Sequence, residues 1–156
     1  MVGVMTTENP VAAKLRESGL RVTAPRLAVF NVVDKKAHIP AEDVASDVRA
    51  QLGTVSTQTV YDALRTLVEV GLISRIEPAG HPALYETRIG DNHHHVVCRE
   101  CGRVEDVSCA IGEAPCLDAA EDHGFTIDEA EIVYWGVCPD CAKRAAATKA
   151  AESPPR

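Results

Sequence analysis

Two Cys-x-x-Cys pairs, Cys98-Arg99-Glu100-Cys101 and Cys138-Pro139-Asp140-Cys141, stand 40 positions apart, and the triplet His93-His94-His95 precedes the first. A Cys-x-x-Cys turn can set two thiolates around a common centre. Two such turns complete a tetrahedron and leave no ligand position open to substrate. The spacing therefore predicts a closed, structural Zn²⁺ site on Cys98, Cys101, Cys138 and Cys141. The competing arrangements are two disulfides or two separate redox dithiols. The neighbouring histidines add a second, imidazole-based metal site to the plan.

The chain that must position these groups has 156 residues and is 46% hydrophobic, enough for one ordinary domain or two small ones. No basic start followed by a long apolar run marks the N-terminus, and no apolar stretch is long enough to span a bilayer. A cytoplasmic protein without membrane contact is expected, and a reducing compartment favours metal over disulfides. The net charge of −7 is unevenly spread: residues 1–88 hold ten Lys/Arg and ten Asp/Glu, whereas residues 89–156 hold six against thirteen. The neutral half has room for a local basic face around Lys14, Arg16, Arg21 and Arg26, and the acidic half suits divalent cations.

Asn9-Pro10 predicts a capped helix ending near Gly19, and Thr23 caps a second with Leu27, Val29, Phe30 and Val33 on its buried side. A third helix starts near Pro40-Ala41-Glu42 and closes at Gly53. Ser56 caps a fourth, whose apolar stripe is Val60, Leu64, Leu67 and Val68. Leu72–Ile76 and Ala83–Glu86 read as strands joined by a turn at Pro78–Pro82, with His81 at its tip. Short helices followed by a β-hairpin describe a winged helix-turn-helix over residues 1–88.

Ser56, Thr57, Gln58, Thr59, Tyr61 and Arg65 point away from the stripe of the fourth helix, where hydroxyls, an amide and a phenol can reach base edges or phosphates. Arg75 in the hairpin and Arg26 in the second helix add positive charge. Asp62 opposes it, because a carboxylate facing phosphate is repelled. The competing reading is a capped, solvated helix end.

Residues 89–143 read as a small α/β unit carrying the cysteine site, so the fold class is α+β. Strands are expected at His95–Val97, Arg103–Val107, Phe125–Ile127 and Glu131–Trp135, with a helix over Glu113–Asp122. Burying Ile132, Val133, Tyr134 and Trp135 from so small a unit calls for a partner subunit. The tail 144–156, ending Ser-Pro-Pro-Arg, reads as disordered.

The run Asp91 to Asp106, with its three histidines and Cys98-Arg99-Glu100-Cys101, resembles the signature of the ferric uptake regulator superfamily. Gly19-Leu20-Arg21-Val22-Thr23-Ala24-Pro25-Arg26, Thr59-Val60-Tyr61 through Gly71-Leu72, and Gly136-Val137-Cys138-Pro139-Asp140-Cys141 match in the same order, over about residues 10–142. The resemblance implies a dimeric, metal-dependent transcriptional repressor, and the closed cysteine site with no nucleophile-base constellation argues against an enzyme. Its parts would be a winged-helix domain for double-stranded operator DNA and a C-terminal dimerisation domain, with a sensing metal at the hinge. It puts structural zinc on the same four cysteines. In the peroxide-responsive pattern it puts the regulatory ion on His38, Glu86, His93, His95 and Asp106, with Glu86 matching if one residue of loop length is allowed. Imidazole and carboxylate ligands suit Fe²⁺ or Mn²⁺ and also accept Zn²⁺.

His94 alternates with His93 and His95 along a strand and faces the other way. The family's third site would use Asn92, His94, Glu113 and Ala130, where alanine replaces a histidine. His123 reads as a loop residue. Cys109 and Cys116 lie outside the paired motifs and are either packing residues or a redox pair. Their surroundings resemble the branch that represses catalase-peroxidase genes, so the expected function is a peroxide-sensing repressor of oxidative-stress genes. The rivals are an iron- or zinc-homeostasis repressor, a zinc or dithiol enzyme, and a zinc-ribbon interaction protein that ignores DNA.

Overall fold

The computed structural model describes residues 9–89, 93–108, 121, 123–126 and 132–152, and the side chains of these as far as residue 149. The chain divides into two compact units, Met1–Gly90 and Asp91–Arg156.

In the N-terminal unit each helix begins where the capping chemistry lies. Asn9 Oδ1 accepts the N–H of Val11 at 2.9 Å, opening α1 (Pro10–Glu17) with proline at its first position. Thr23 Oγ1 caps α2 (Ala24–Lys35), and Ser56 Oγ takes the N–H of Thr59 at 3.0 Å to cap α4 (Thr57–Glu69). Helix α3 (Ala41–Leu52) has no side-chain cap at Pro40, but Glu42 and Asp43 in its first turn complement the helix dipole.

The apolar stripes meet in one core, with Leu15, Val29, Val33, Val44, Val48, Val60, Leu64 and Leu67 at its centre. Phe30 and Leu27 pack against it only partly buried, and Ala28 and Val32 take the inner positions of α2.

The hairpin of strands β2 (Ser74–Ile76) and β3 (Leu84–Glu86) pairs Ser74 with Glu86 and Ile76 with Leu84, and its turn closes with the His81 N–H on the Pro78 carbonyl at 3.0 Å. A strand that the sequence reading lacks, β1 (Ile39–Pro40), pairs antiparallel with β3 on its other side, giving the order β1-β3-β2. Two residues are too few for an alternating pattern, and a proline, lacking an N–H, is admitted at a sheet edge. Four helices and this sheet form a winged helix-turn-helix.

In the C-terminal unit, β4 (His94–Cys98) is central, with β5 (Val104–Val107) antiparallel on one side and β6 (Val133–Gly136) parallel on the other. Phe125 and Thr126 are not in a strand, and Phe125 is highly exposed. The expected helix over Glu113–Asp122 lies almost entirely outside the described residues. Where a disordered tail was expected from residue 144, helix α5 runs from Pro139 to Glu152. Pro139 starts it, and the alanine-rich run Ala145-Ala146-Ala147 with Lys143 and Lys149 has high helix propensity that outweighs the tail's small, polar composition.

Candidate metal centre

The four paired cysteines converge. Cys98 ends β4, and a turn through Arg99 and Glu100 brings Cys101 back; the following Gly102 has φ +73°, a conformation that glycine adopts without penalty. The Gly102 N–H donates to the Cys98 carbonyl at 2.9 Å, and the Cys98 N–H to Arg103 at 2.8 Å. Cys138 lies just before α5, and Cys141 is in its first turn. All four Sγ atoms lie within 4.8 Å of one another. A tetrahedral ion with bonds of about 2.3 Å sets its sulfurs about 3.8 Å apart. Cys101 Sγ and Cys138 Sγ are 3.8 Å apart. The donor set and its spacing fit Zn²⁺.

The thiols differ in their electrostatics. The backbone N–H of Cys138, 3.3 Å from Cys98 Sγ, and then that of Cys101 lower the Cys98 pKa to about 6. Burial, followed by the neighbouring sulfurs of Cys138, Cys101 and Cys98, pushes Cys141 up to about 12, against the pull of Arg144, whose Nη2 donates to Cys141 Sγ at 2.8 Å. One sulfur is readily ionised, while another resists adding charge to the cluster. A divalent cation removes that conflict.

The remaining candidate ligands fall into one set in each unit. In the N-terminal unit, strand pairing of Ile39 with Tyr85 brings His38 beside Glu86, with Nε2 3.3 Å from Oε2. The Glu86 side chain is 2% exposed and that of His38 is 11%. His38 has φ +57°, a left-handed conformation uncommon outside glycine, though histidine, like asparagine, enters it more readily than most residues, and one that concentrates at ligand-holding positions. In the C-terminal unit, His95 on β4 is cross-strand from Asp106 on β5, Nε2 to Oδ1 3.6 Å. The rings of His93 and His95 meet edge to face at 4.8 Å. His94 turns away and meets Tyr134, ring centroids 6.2 Å apart. Imidazole with carboxylate is a hard, nitrogen-oxygen donor set, chemically distinct from the thiolate cluster.

The outward side of α4 carries Thr57, Gln58, Thr59, Tyr61 and Arg65, all exposed, with Ser56 just ahead as cap. Arg65 is shared between Asp62 at 3.1 Å and Glu69 at 3.9 Å. Arg75 on β2 contacts Glu77 at 2.5 Å, and Arg26 Nη1 donates to the Arg21 carbonyl at 2.5 Å.

Residues 17–135 match the sequence model of the Ferric uptake regulator family. The chain belongs to this family. It is 53% identical over 131 residues to the transcriptional regulator FurA of Mycobacterium tuberculosis, covering 84% of this chain and 89% of that one. It is 59% identical over 121 residues to ferric uptake regulation protein 1 of Mycolicibacterium fortuitum, covering 78% and 75%. Among solved structures, the Vibrio cholerae ferric uptake regulator superposes with a TM-score of 0.67 at 26% identity, over 81% of this chain and 98% of that one. The protein is thus a metal-responsive transcriptional regulator of the ferric uptake regulator family, and its relatives are named as regulators, not enzymes. Among the described residues no helix is long and apolar enough to cross a membrane.

Three arginines of this family member support the candidate sites without having been read from the sequence. Arg49 on α3 donates to the Val55 carbonyl at 3.3 Å and to the Thr57 hydroxyl, tying down the turn that leads into α4. Arg103 bridges Glu105 at 2.7 Å and Asp140 at 3.2 Å, linking β5 to the start of α5. Arg144 contacts the Cys141 sulfur. A lone arginine carries no spacing signal, so only its partners reveal it. His123, at φ +52°, is an exposed residue 3.6 Å from Glu121, and His81 is at the hairpin turn. Asn92, Cys109, Glu113, Cys116 and Ala130 lie outside the described residues.

Proposed function

We propose that this regulator is a dimeric, metal-dependent repressor in which residues 1–88 bind a palindromic operator and residues 89–143 form the metal-binding dimerisation domain. Zn²⁺ occupies Cys98, Cys101, Cys138 and Cys141. Fe²⁺ or Mn²⁺ occupies His38, Glu86, His93, His95 and Asp106, a set that also accepts Zn²⁺. Operator contacts come from Arg26, Ser56, Thr57, Gln58, Thr59, Tyr61, Arg65 and Arg75.

The observation that carries this reading is the pairing of imidazole with carboxylate in each unit, His38 with Glu86 and His95 with Asp106. Each set alone offers two or three ligands, short of the about six that Mn²⁺ commonly takes. One ion drawing on both sets would favour one arrangement of the DNA-binding and dimerisation domains and so couple its occupancy to operator affinity. In the Vibrio cholerae relative a structural rearrangement of the DNA-binding domains is described, so a change in their arrangement is available to this fold.

Bound Fe²⁺ would supply the reductant that meets peroxide. Peroxide reduced there would yield the reactive oxygen oxidant that oxidises a ligand histidine, His38, His93 or His95, which would remove a ligand and lift repression of oxidative-stress genes such as a catalase-peroxidase. The Mycolicibacterium fortuitum relative is named for ferric uptake regulation, which favours a second reading, iron-homeostasis repression.

Operator binding by the purified protein, measured after adding Fe²⁺, Mn²⁺ or Zn²⁺ and then peroxide, tests both. Loss of binding after peroxide in the Fe²⁺ form alone supports peroxide sensing. Binding that requires Fe²⁺ and survives peroxide selects iron homeostasis. Equal affinity with and without metal rejects the coupling, and failure to bind any duplex returns the chain to the interaction-protein class.

A further inference from the structure

Helix α4 buries Val60, Ala63, Leu64 and Leu67, and the ridge opposite them runs Gln58, Asp62, Arg65, Glu69. These positions are four, three and four apart, so each side chain lies beside the next. A single oxygen, Asp62 Oδ1, accepts from Gln58 Nε2 at 3.0 Å and from Arg65 Nη2 at 3.1 Å. The Asp62 carboxylate is therefore the centre of the ridge, and it orients the two side chains best suited to contacting bases. It remains half-exposed, with 47% of its side chain accessible. A carboxylate offers about four acceptor sites, and these two bonds leave the others available.

An acid at the middle of a DNA-facing helix is unfavourable toward phosphate. Asp62 and Glu69 against Arg65 leave the ridge without positive charge, so it adds nothing to the salt-dependent attraction for the backbone. Its capacity lies in hydrogen bonding to base edges. In the major groove adenine flanks its amino group with the acceptor N7, which repels a carboxylate, whereas cytosine presents its N4 amino group alone. Arg65, one turn further along, carries the donors that match guanine O6 and N7, the complement on the opposite strand.

We infer that Asp62 is a specificity-determining residue of α4, whose carboxylate accepts a hydrogen bond from a cytosine N4 amino group in each operator half-site while it holds Gln58 and Arg65 in register. The inference rests on the reading of α4 as the DNA-contacting helix. It reverses the first reading of Asp62, which counted the carboxylate only as a repulsive charge. The same charge that selects cytosine lowers affinity for unrelated sequence.

The test is selection of bound duplexes from a pool with a randomised central segment, using full-length, Mn²⁺-loaded wild type, Asp62→Asn and Asp62→Ala. The Asp62 side chain is outside the core, so both variants keep the fold. Wild type should enrich half-sites with one strongly preferred cytosine. Asp62→Asn should shift that position toward adenine, the base whose N6 and N7 an amide matches. Asp62→Ala should leave the position unselected, weaken preference at the positions that Gln58 and Arg65 face, and bind mixed-sequence duplex more tightly, with the preference for cytosine falling about tenfold or more. If both variants select the wild-type half-site, or if they lose preference at other positions while cytosine stays, the inference is wrong and the DNA-binding reading stands. If wild type enriches no duplex, the DNA-binding reading itself falls.

Discussion

The two units are held together by different physics. The N-terminal unit buries a continuous cluster of apolar side chains from α1 to α4, β1 and β3, with Leu15, Val29, Leu64 and Leu67 essentially inaccessible. Among the described residues of the C-terminal unit, the buried apolar side chains are Val97, Cys98, Val104 and Cys141, and two of these are candidate zinc ligands. Burial of that kind stabilises the first unit unaided, at roughly 25 cal/mol per Å² of apolar area. If Zn²⁺ occupies the four cysteines of the second, that ion should supply much of its stability, as structural zinc does in small domains. The difference contrasts an aliphatic scaffold for α4 with a unit whose four-cysteine cluster is expected to need a bound ion.

The most severe way to break this comparison is Cys98→Ser. One thiolate of a closed tetrahedron is lost, and structural zinc contributes apparent binding energies of about 10–16 kcal/mol in small domains. The C-terminal unit is expected to lose bound zinc and unfold, while the methyl signals of Val29, Val48 and Leu64 stay dispersed in NMR spectra of the full chain. Collapse of both sets of signals together would show that the units are one cooperative body. Leu64→Ala is the converse. Removing a fully buried leucine should cost about 2–5 kcal/mol and lower the melting transition of the N-terminal unit, with zinc content by metal analysis unchanged.

A different part of the comparison concerns the proposed nitrogen-oxygen ligands, which are expected to stabilise less and regulate more. His38→Asn tests this, because asparagine tolerates the φ of +57° at this position and removes the imidazole. The variant should melt within about 1 kcal/mol of wild type. The advantage that Mn²⁺ gives to operator binding should fall about tenfold or more, a coupling of about 1.4 kcal/mol or above. Retention of the metal response in His38→Asn would remove His38 from the regulatory site.

How much of this was readable beforehand follows the same division. Caps and stripes are local, and Asn9, Thr23 and Ser56 open their helices where the sequence reading put them. Paired spacing is also local, so the convergence of the four cysteines could be read directly. The neighbourhood of Glu86 and His38 could not be read from pattern. It is made by a two-residue strand, Ile39–Pro40, that has no periodicity, and before the structure it rested on resemblance alone. Helix α5 is hidden for another reason: the small, polar last residues of the tail read as disorder, while the alanine run ahead of them has enough propensity to propagate from Pro139.

The smallest expected effect concerns pH and the hydroxyl of Tyr85, at the join of β3 with β1 and β2. Burial raises its pKa above 10.0, against the opposing pull of Arg75, which also hydrogen-bonds to it. A group whose folded value lies above its unfolded value contributes stability that is complete below the unfolded value and is lost as pH rises through the folded one. The N-terminal unit should therefore weaken above pH 10. Acid, by contrast, should attack a zinc-loaded C-terminal unit first, because protons compete with the metal for thiolates. Tyr85→Phe should cost about 0.5–1.5 kcal/mol at neutral pH, the worth of one hydrogen bond, and should flatten the alkaline decline of the N-terminal melting transition. An unchanged alkaline slope in Tyr85→Phe would mean that some other group titrates there.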